Sequence, residues 1–166
     1  SGLLERIRAW PEVKHATGRL FDSLTLVRAD GRTNNKGELL RCTPSAVGVD
    51  FTLEPTFRQH EFVSGGMPGA SDEIVLDPAA AEELQAQVGD VLEVQRFGEP
   101  IMLKVAGIFD RPRLPAVQRP LIEIDRTVLE DSAGHAGELT SIVIIVREGE
   151  NVDEFCRRHS AAVEGF

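Results

Sequence analysis

Positive charge is scarce in this chain. Lysine and arginine total 18 against 27 aspartates and glutamates, a formal net charge of -9 over 166 residues. That balance disfavours nucleic acid as a partner, and none is expected, because phosphate binding draws on clustered Lys and Arg that release counterions. Flat adsorption to anionic headgroups is disfavoured for the same reason. Long apolar runs are also missing. The longest wholly aliphatic stretch is Ile142 to Val146, whereas a membrane-spanning helix takes about 20 apolar residues. Ser1 to Trp10 carries Glu5, Arg6 and Arg8 and lacks the apolar core of a secretory signal. These absences fit a cytoplasmic protein, and fit equally a segment lying between two membrane helices. Cysteine is nearly absent. Cys42 and Cys156 stand far apart with no CxxC, which excludes a zinc ribbon or a thioredoxin-type site and is compatible with one disulfide or two free thiols. There is no low-complexity tract and no block of like charge that would argue for disorder.

What is present is a chain with 42% apolar residues, long enough for one domain or two small interlocked subdomains. Leu3, Leu4, Ile7 and Trp10 share one helical face, and Pro11 stops that helix. Val13 to Arg28 reads as extended, Asp30-Gly31 and Thr33 to Gly37 as a turn, and Glu38 to Val49 as a second extended segment: a long hairpin. Phe51 to Phe62 is irregular, with Pro55 inside it. Ser64 to Ser71 is a glycine-rich loop, and Glu73 to Leu76 a short strand. Asp77 then caps a helix with Pro78 at its first position and Ala79 to Gln85 behind it. Val88-Gly89-Asp90 turns the chain into a strand, Val91 to Phe97. Gly98-Glu99-Pro100 reverses it into a return strand marked by Ile101, Leu103 and Val105. Phe109 to Pro120, with three prolines and three arginines, reads as a stiff exposed connection. Leu121 to Ile124 is a strand followed by a short polar helix near Thr127. Ser141 to Val146 is apolar at nearly every position, which predicts a strand at a sheet centre. Asn151 and Glu154 are spaced as a capping box for a last helix whose apolar face is Val152, Phe155 and Val163. The expected fold class is α+β, with the first and last helices covering one face of a shared sheet.

The residue types that carry catalysis are present but not arranged for it. His15, His60, His135 and His159 are isolated in sequence, with no ligand spacing for zinc; no metal, cofactor or catalytic residue is expected. Gly65-Gly66-Met67-Pro68-Gly69 is not a phosphate cradle, because no helix follows it and no Walker lysine is present. There is no Gly-x-Ser-x-Gly elbow, and Ser71 has no candidate base. Asp72 and Glu73 are adjacent on an extended segment and point to opposite faces.

The order of several short motifs carries a resemblance instead. Leu3 to Val13 ends a helix in Pro-x-Val. Val47-Gly48-Val49-Asp50 follows. Gly65 to Gly69 leads into Glu73-Ile74-Val75-Leu76, then Ala79 to Leu84, Val88-Gly89-Asp90, and a hairpin closing in Val105-Ala106-Gly107-Ile108. In this order, over nearly the whole chain, the pattern resembles the periplasmic core domain of MacB/FtsX-type ABC-transporter permeases. The resemblance implies a porter-like α/β unit formed by both chain ends, residues 1–50 and 121–166, with an inserted β-rich, sabre-like subdomain, residues 51–120. It implies a non-catalytic domain on the extracytoplasmic (periplasmic) face of the cytoplasmic membrane, coupling ATP-driven motion to export or extraction of a substrate or to a periplasmic partner. Implied partners are the permease's transmembrane helices, a cytoplasmic ATP-binding domain or subunit, an unnamed cargo or periplasmic protein, and a second copy in a dimeric transporter. That oxidising compartment permits a disulfide between Cys42 and Cys156; two buried free thiols are the favoured reading. The Pro- and Arg-rich segment departs from the family pattern, and Arg111 and Arg113 are its candidate partner contacts. A free-standing peptide or small-molecule binding domain and a hydrolase are the competing readings.

Overall fold

An eleven-residue strand, β1 (Val13–Ser23), joins two unequal parts of the molecule. The computed structural model describes residues 2–111 and 119–163. Its elements run α1 (Gly2–Arg8), β1, β2 (Thr25–Arg28), β3 (Arg41–Cys42), β4 (Ser45–Val49), α2 (Glu54–Phe57), β5 (Phe62–Gly65), β6 (Glu73–Leu76), α3 (Pro78–Leu84), β7 (Val91–Gln95), β8 (Ile101–Phe109), β9 (Leu121–Asp125), α4 (Arg126–Ala133), β10 (Ser141–Val146) and α5 (Val152–Val163). The strands form one mixed sheet in the order β10-β1-β4-β9-β6-β8-β7-β2-β3, with β5 added on β8. The α+β class follows directly.

Val13 to Arg19 of β1 pair antiparallel with β10, and Leu20 to Ser23 pair antiparallel with β4. Each half of the strand therefore belongs to a different core. On the β10 side, Leu4, Ile7, Val13, Ala16 and Phe155 are buried together, with Leu3, Trp10, Ile142, Ile144 and Val146 packed against them. The alternation Ile142, Ile144, Val146 is the two-residue period that puts one side of β10 under α1 and α5. The first and last helices thus cover one face, as expected, and Trp10 meets Phe155 edge-on at 6.0 Å. On the β4 side a larger cluster gathers Leu20, Leu26, Cys42, Ile74, Leu76, Leu92, Leu103, Val105, Ile122 and Ile124 beneath Ala80 and Leu84 of α3 and Leu129 of α4. This cluster draws on residues 20–46, 74–105 and 122–129 alike. Two strand pairs, β2 with β7 and β6 with β9, bind those stretches together.

Several expectations change. β10 lies at the sheet edge, not its centre, and every one of its residues is only half-buried. An uninterrupted aliphatic run reports the two faces of a strand and not how many strands flank it; α1 and α5 cover the face of Ile142, Ile144 and Val146. Val152 and Val163 are exposed, and Phe155 alone is the buried anchor of α5. Asn151 Oδ1 accepts from the Glu154 backbone N–H at 3.0 Å, the first half of the capping box. Ser64 and Gly65 end a strand rather than begin a loop. Phe109 closes β8 and is buried. Both cysteines are free, Cys42 buried and Cys156 exposed.

The motif residues find physical roles. Asp77 is buried and its Oδ1 accepts from the Ala80 N–H at 2.8 Å, capping α3. Gly89 turns with φ +94°, a conformation open to glycine. Asp90 Oδ2 accepts from the Gln87 N–H and from Arg28 Nη1, each at 2.9 Å. Arg28, buried, also donates to the Gln85 carbonyl at 2.8 Å beyond the end of α3 and pairs with Asp30. The guanidinium beside them holds the Asp30 and Asp90 carboxyls below the usual range. A Cβ on Gly107 would lie 2.5 Å from the Gly66 carbonyl oxygen, so the hairpin's closing glycine lets β5 and its following turn approach β8.

Candidate functional site

The sheet has two faces at its centre, and they differ in chemistry. Ile122 and Ile124 of β9 point into the large apolar cluster. Glu123 between them points the other way, fully buried, beside Val47 of β4 and Val75 of β6. The chain from Asp50 to Phe62 runs over this face. Asp50 Oδ1 accepts from the Thr52 N–H at 3.0 Å, and its carbonyl accepts from the Glu54 N–H at 2.8 Å, which starts the single turn of α2. That turn ends at Arg58, whose N–H donates to the Glu54 carbonyl at 2.9 Å.

These elements assemble a buried polar network. Glu54 is fully buried, and its Oε1 accepts from Arg19 Nη2 of β1. Arg58 pairs with both carboxylates, its Nη2 against Glu123 Oε1. His60 Nε2 sits 2.9 Å from Glu123 Oε2, and its ring leans on Phe109 at 5.3 Å and Phe62 at 6.1 Å. Burial, with Arg58 and Arg19 adding positive potential, holds His60 down to about 4, so the imidazole is neutral at pH 7. Burial also pushes the Glu54 carboxyl up, against the two arginines, and the Arg58 guanidinium down. Of the four carboxylate oxygens, Glu54 Oε2 has no partner, while Arg58 Nη2 and His60 Nε2 face those of Glu123.

Sequence reading missed this cluster. His60 and Glu123 are 63 positions apart, and no spacing rule joins them. The available signal was an acid in the middle of the apolar strand Leu121 to Ile124. The other histidines lie outside this network. His159 stacks on Trp10 at 3.9 Å, His135 Nδ1 lies 2.9 Å from Glu138, and His15 meets Phe57 edge-on.

Of the two candidate partner contacts, Arg113 lies outside the described residues. Arg111 is engaged: its Nη1 donates to Asp77 Oδ2 at 2.9 Å and to the Arg119 carbonyl at 3.1 Å. It neutralises the buried carboxylate that caps α3, so its first role is in the fold. The concavities are open grooves. The largest of those described, about 660 Å³, is lined by Leu3, Arg6 and Ile7 of α1, Ile142 and Ile144 of β10, and Val163 of α5. Gly2, at the start of α1, lines the same groove, so the beginning of the first helix and the end of the last are neighbours.

No protein-family model matches the chain, and no curated protein matches it in sequence. In fold, however, the chain is similar to three solved domains. The periplasmic region of MacB from Actinobacillus actinomycetemcomitans superimposes with a TM-score of 0.71 at 11% identity, over 97% of this chain and 71% of that one. The extracellular domain of the noncanonic ABC-type transporter YknZ from Gram-positive bacteria gives 0.66 at 12% identity, over 95% and 76%. A domain of a putative permease protein from Porphyromonas gingivalis gives 0.63 at 12% identity, over 97% and 67%. Among the described residues, no helix is long and apolar enough to cross a membrane.

Proposed function

We propose that this chain is a non-catalytic, extracytoplasmic domain of an ABC-transporter permease, and that it passes motion driven by cytoplasmic ATP hydrolysis to a cargo or an extracytoplasmic partner. The observation that carries the reading is the similar fold, over 95–97% of this chain, of the extracellular domain of an ABC-type transporter, the periplasmic region of MacB and a domain of a putative permease. The adjacency of the two chain ends around one groove supports it independently, because a domain inserted between two membrane helices must return to the bilayer where it left. The segment holding Arg111 and Arg113 is the proposed partner contact. It is tested by replacing both with Ala in the full-length permease and measuring transport.

Cys156 supplies the decisive topological test, because it is exposed while Cys42 is buried. In intact cells making the full-length protein, a membrane-impermeant maleimide should label this domain at Cys156, and Cys156→Ser should lose that label. Labelling only after the cells are broken open would overturn an extracytoplasmic location.

A further inference from the structure

We propose that Glu54, His60 and Glu123 form a binding site for one divalent transition-metal ion of the zinc class, with Arg58 as the group the ion displaces. One ligand atom from each of the three residues lies within 4.8 Å of the others. Ligand atoms around a tetrahedral zinc ion are about 3.3 Å apart, given metal–ligand bonds of about 2.0–2.1 Å. Closure therefore takes movements of about 1 Å, within reach of side-chain rotation. An imidazole with two carboxylates is a mixed nitrogen and oxygen donor set, which suits zinc better than the all-oxygen preference of magnesium.

A second observation points to a ligand, independent of the clustering. Glu54 is fully buried, yet its Oε2 has no partner. Buried carboxylate oxygens ordinarily find donors, because leaving them bare costs free energy. The two arginines differ in freedom. The Arg19 side chain is 15% exposed and hydrogen-bonded to Glu54, whereas the Arg58 side chain is 42% exposed, pairs with both carboxylates and lies 3.2 Å from His60 Nε2. Arg58 can leave for solvent and vacate the Glu123 oxygen. An ion held here would tie the segment from α2 to β5 onto β9 at the middle of the sheet. Its action would be that of a structural clip, with no chemistry on a substrate.

The test uses the 166-residue chain, stripped with chelator and dialysed, with zinc chloride as the probe in titration calorimetry. Saturable uptake of one ion per chain is expected. Glu123→Gln and His60→Ala should each weaken it at least about tenfold, the scale of losing an ordered contact at a metal site. Arg58→Ala should tighten it, because the competitor is gone. Circular dichroism on each variant separates lost ligation from lost folding, and Glu54→Gln, which keeps shape, serves if His60→Ala unfolds. Absence of saturable uptake by the wild type overturns the proposal, even if Arg58→Ala binds, since the arginine then wins in the native chain. Uptake that survives both Glu123→Gln and His60→Ala places the ion elsewhere, for example at His135 with Asp22 and Glu138, and overturns it too. Equal affinity for magnesium would overturn the assignment to the zinc class.

Discussion

The two cores that meet at β1 are built to different tolerances. In the central cluster Leu26, Ile74, Leu76, Leu84, Leu92, Leu103, Ile122, Ile124 and Leu129 are fully buried. In the terminal cluster Ile7 alone approaches that state, and the whole of β10 is half-buried. The polar groups divide the same way. The central part contains Arg28, Glu54, Asp77 and Glu123, all buried and all tied to charged partners. The terminal part places its ion pairs, such as Arg158 with Glu12 and Glu154, nearer the surface. A dense centre with charge-paired anchors resists deformation, and a thin cluster at a sheet edge yields first. For a domain proposed to transmit motion from both of its ends, the compliant part is where those ends attach.

The strongest way to break this comparison is to make the same deletion in each core. Ile124→Ala removes a fully buried side chain at the sheet centre and should cost about 3–5 kcal/mol, the range for cavity-forming changes that cannot collapse. Ile144→Ala removes a half-buried side chain beside an open groove, which water can fill, and should cost about 1–2 kcal/mol. Urea unfolding curves measure both. Equal costs would mean that the terminal cluster is as tightly packed as the centre, and the contrast would fall.

Arg28→Ala gives the next effect. Its guanidinium joins Asp30, Asp90 and the Gln85 carbonyl in a space only 2% exposed, so one change unties the end of α3 from β2 and from the turn before β7. Asp30 and Asp90 are partly exposed and regain water, which holds the cost to about 2–3 kcal/mol, below that of stranding a fully buried charge. Hydrogen exchange should show the loss concentrated in α3 and β7, with β10 unchanged. Loss spread evenly over β10 would mean that the two cores unfold as one.

Much of this central architecture is legible in the amino-acid sequence. Asp77-Pro78 marks the start of α3 by cap chemistry, Gly89-Asp90 its exit, and the alternation Ile101, Leu103, Val105 the strand that follows, because each signal is local. Ser141 to Val146 misleads for a physical reason. Periodicity records the two faces of a strand and is silent on its neighbours in the sheet plane, so an apolar run at an edge looks the same as one at the centre. The buried network is beyond local reading altogether, since Arg19, Glu54, His60 and Glu123 meet only when β9 is laid between β4 and β6. Arg111 is visible as a residue but not as a contact with Asp77. The cap accounts for that aspartate locally, yet a carboxylate has a second oxygen.

That second oxygen sets the smallest of the three effects. Asp77 accepts from the Ala80 N–H through Oδ1 and from Arg111 through Oδ2, and its side chain is only 2% exposed. Arg111→Ala leaves the cap in place but deprives a buried carboxylate of its charge partner. The expected loss is about 1–2 kcal/mol, more than the roughly 0.5 kcal/mol typical of a surface change, and it stays below the cost of an isolated buried charge because the Ala80 N–H and the start of α3 still face the carboxylate. Asp77→Asn keeps an oxygen for the cap and removes the charge, so on that background Arg111→Ala should cost almost nothing. A double-mutant cycle in urea measures the difference as a coupling free energy. A coupling near zero would return Arg111 to the solvent, free to act purely as a contact for a partner. A coupling near the full loss would make the arginine a part of the central framework, whose charge is already committed before any partner arrives.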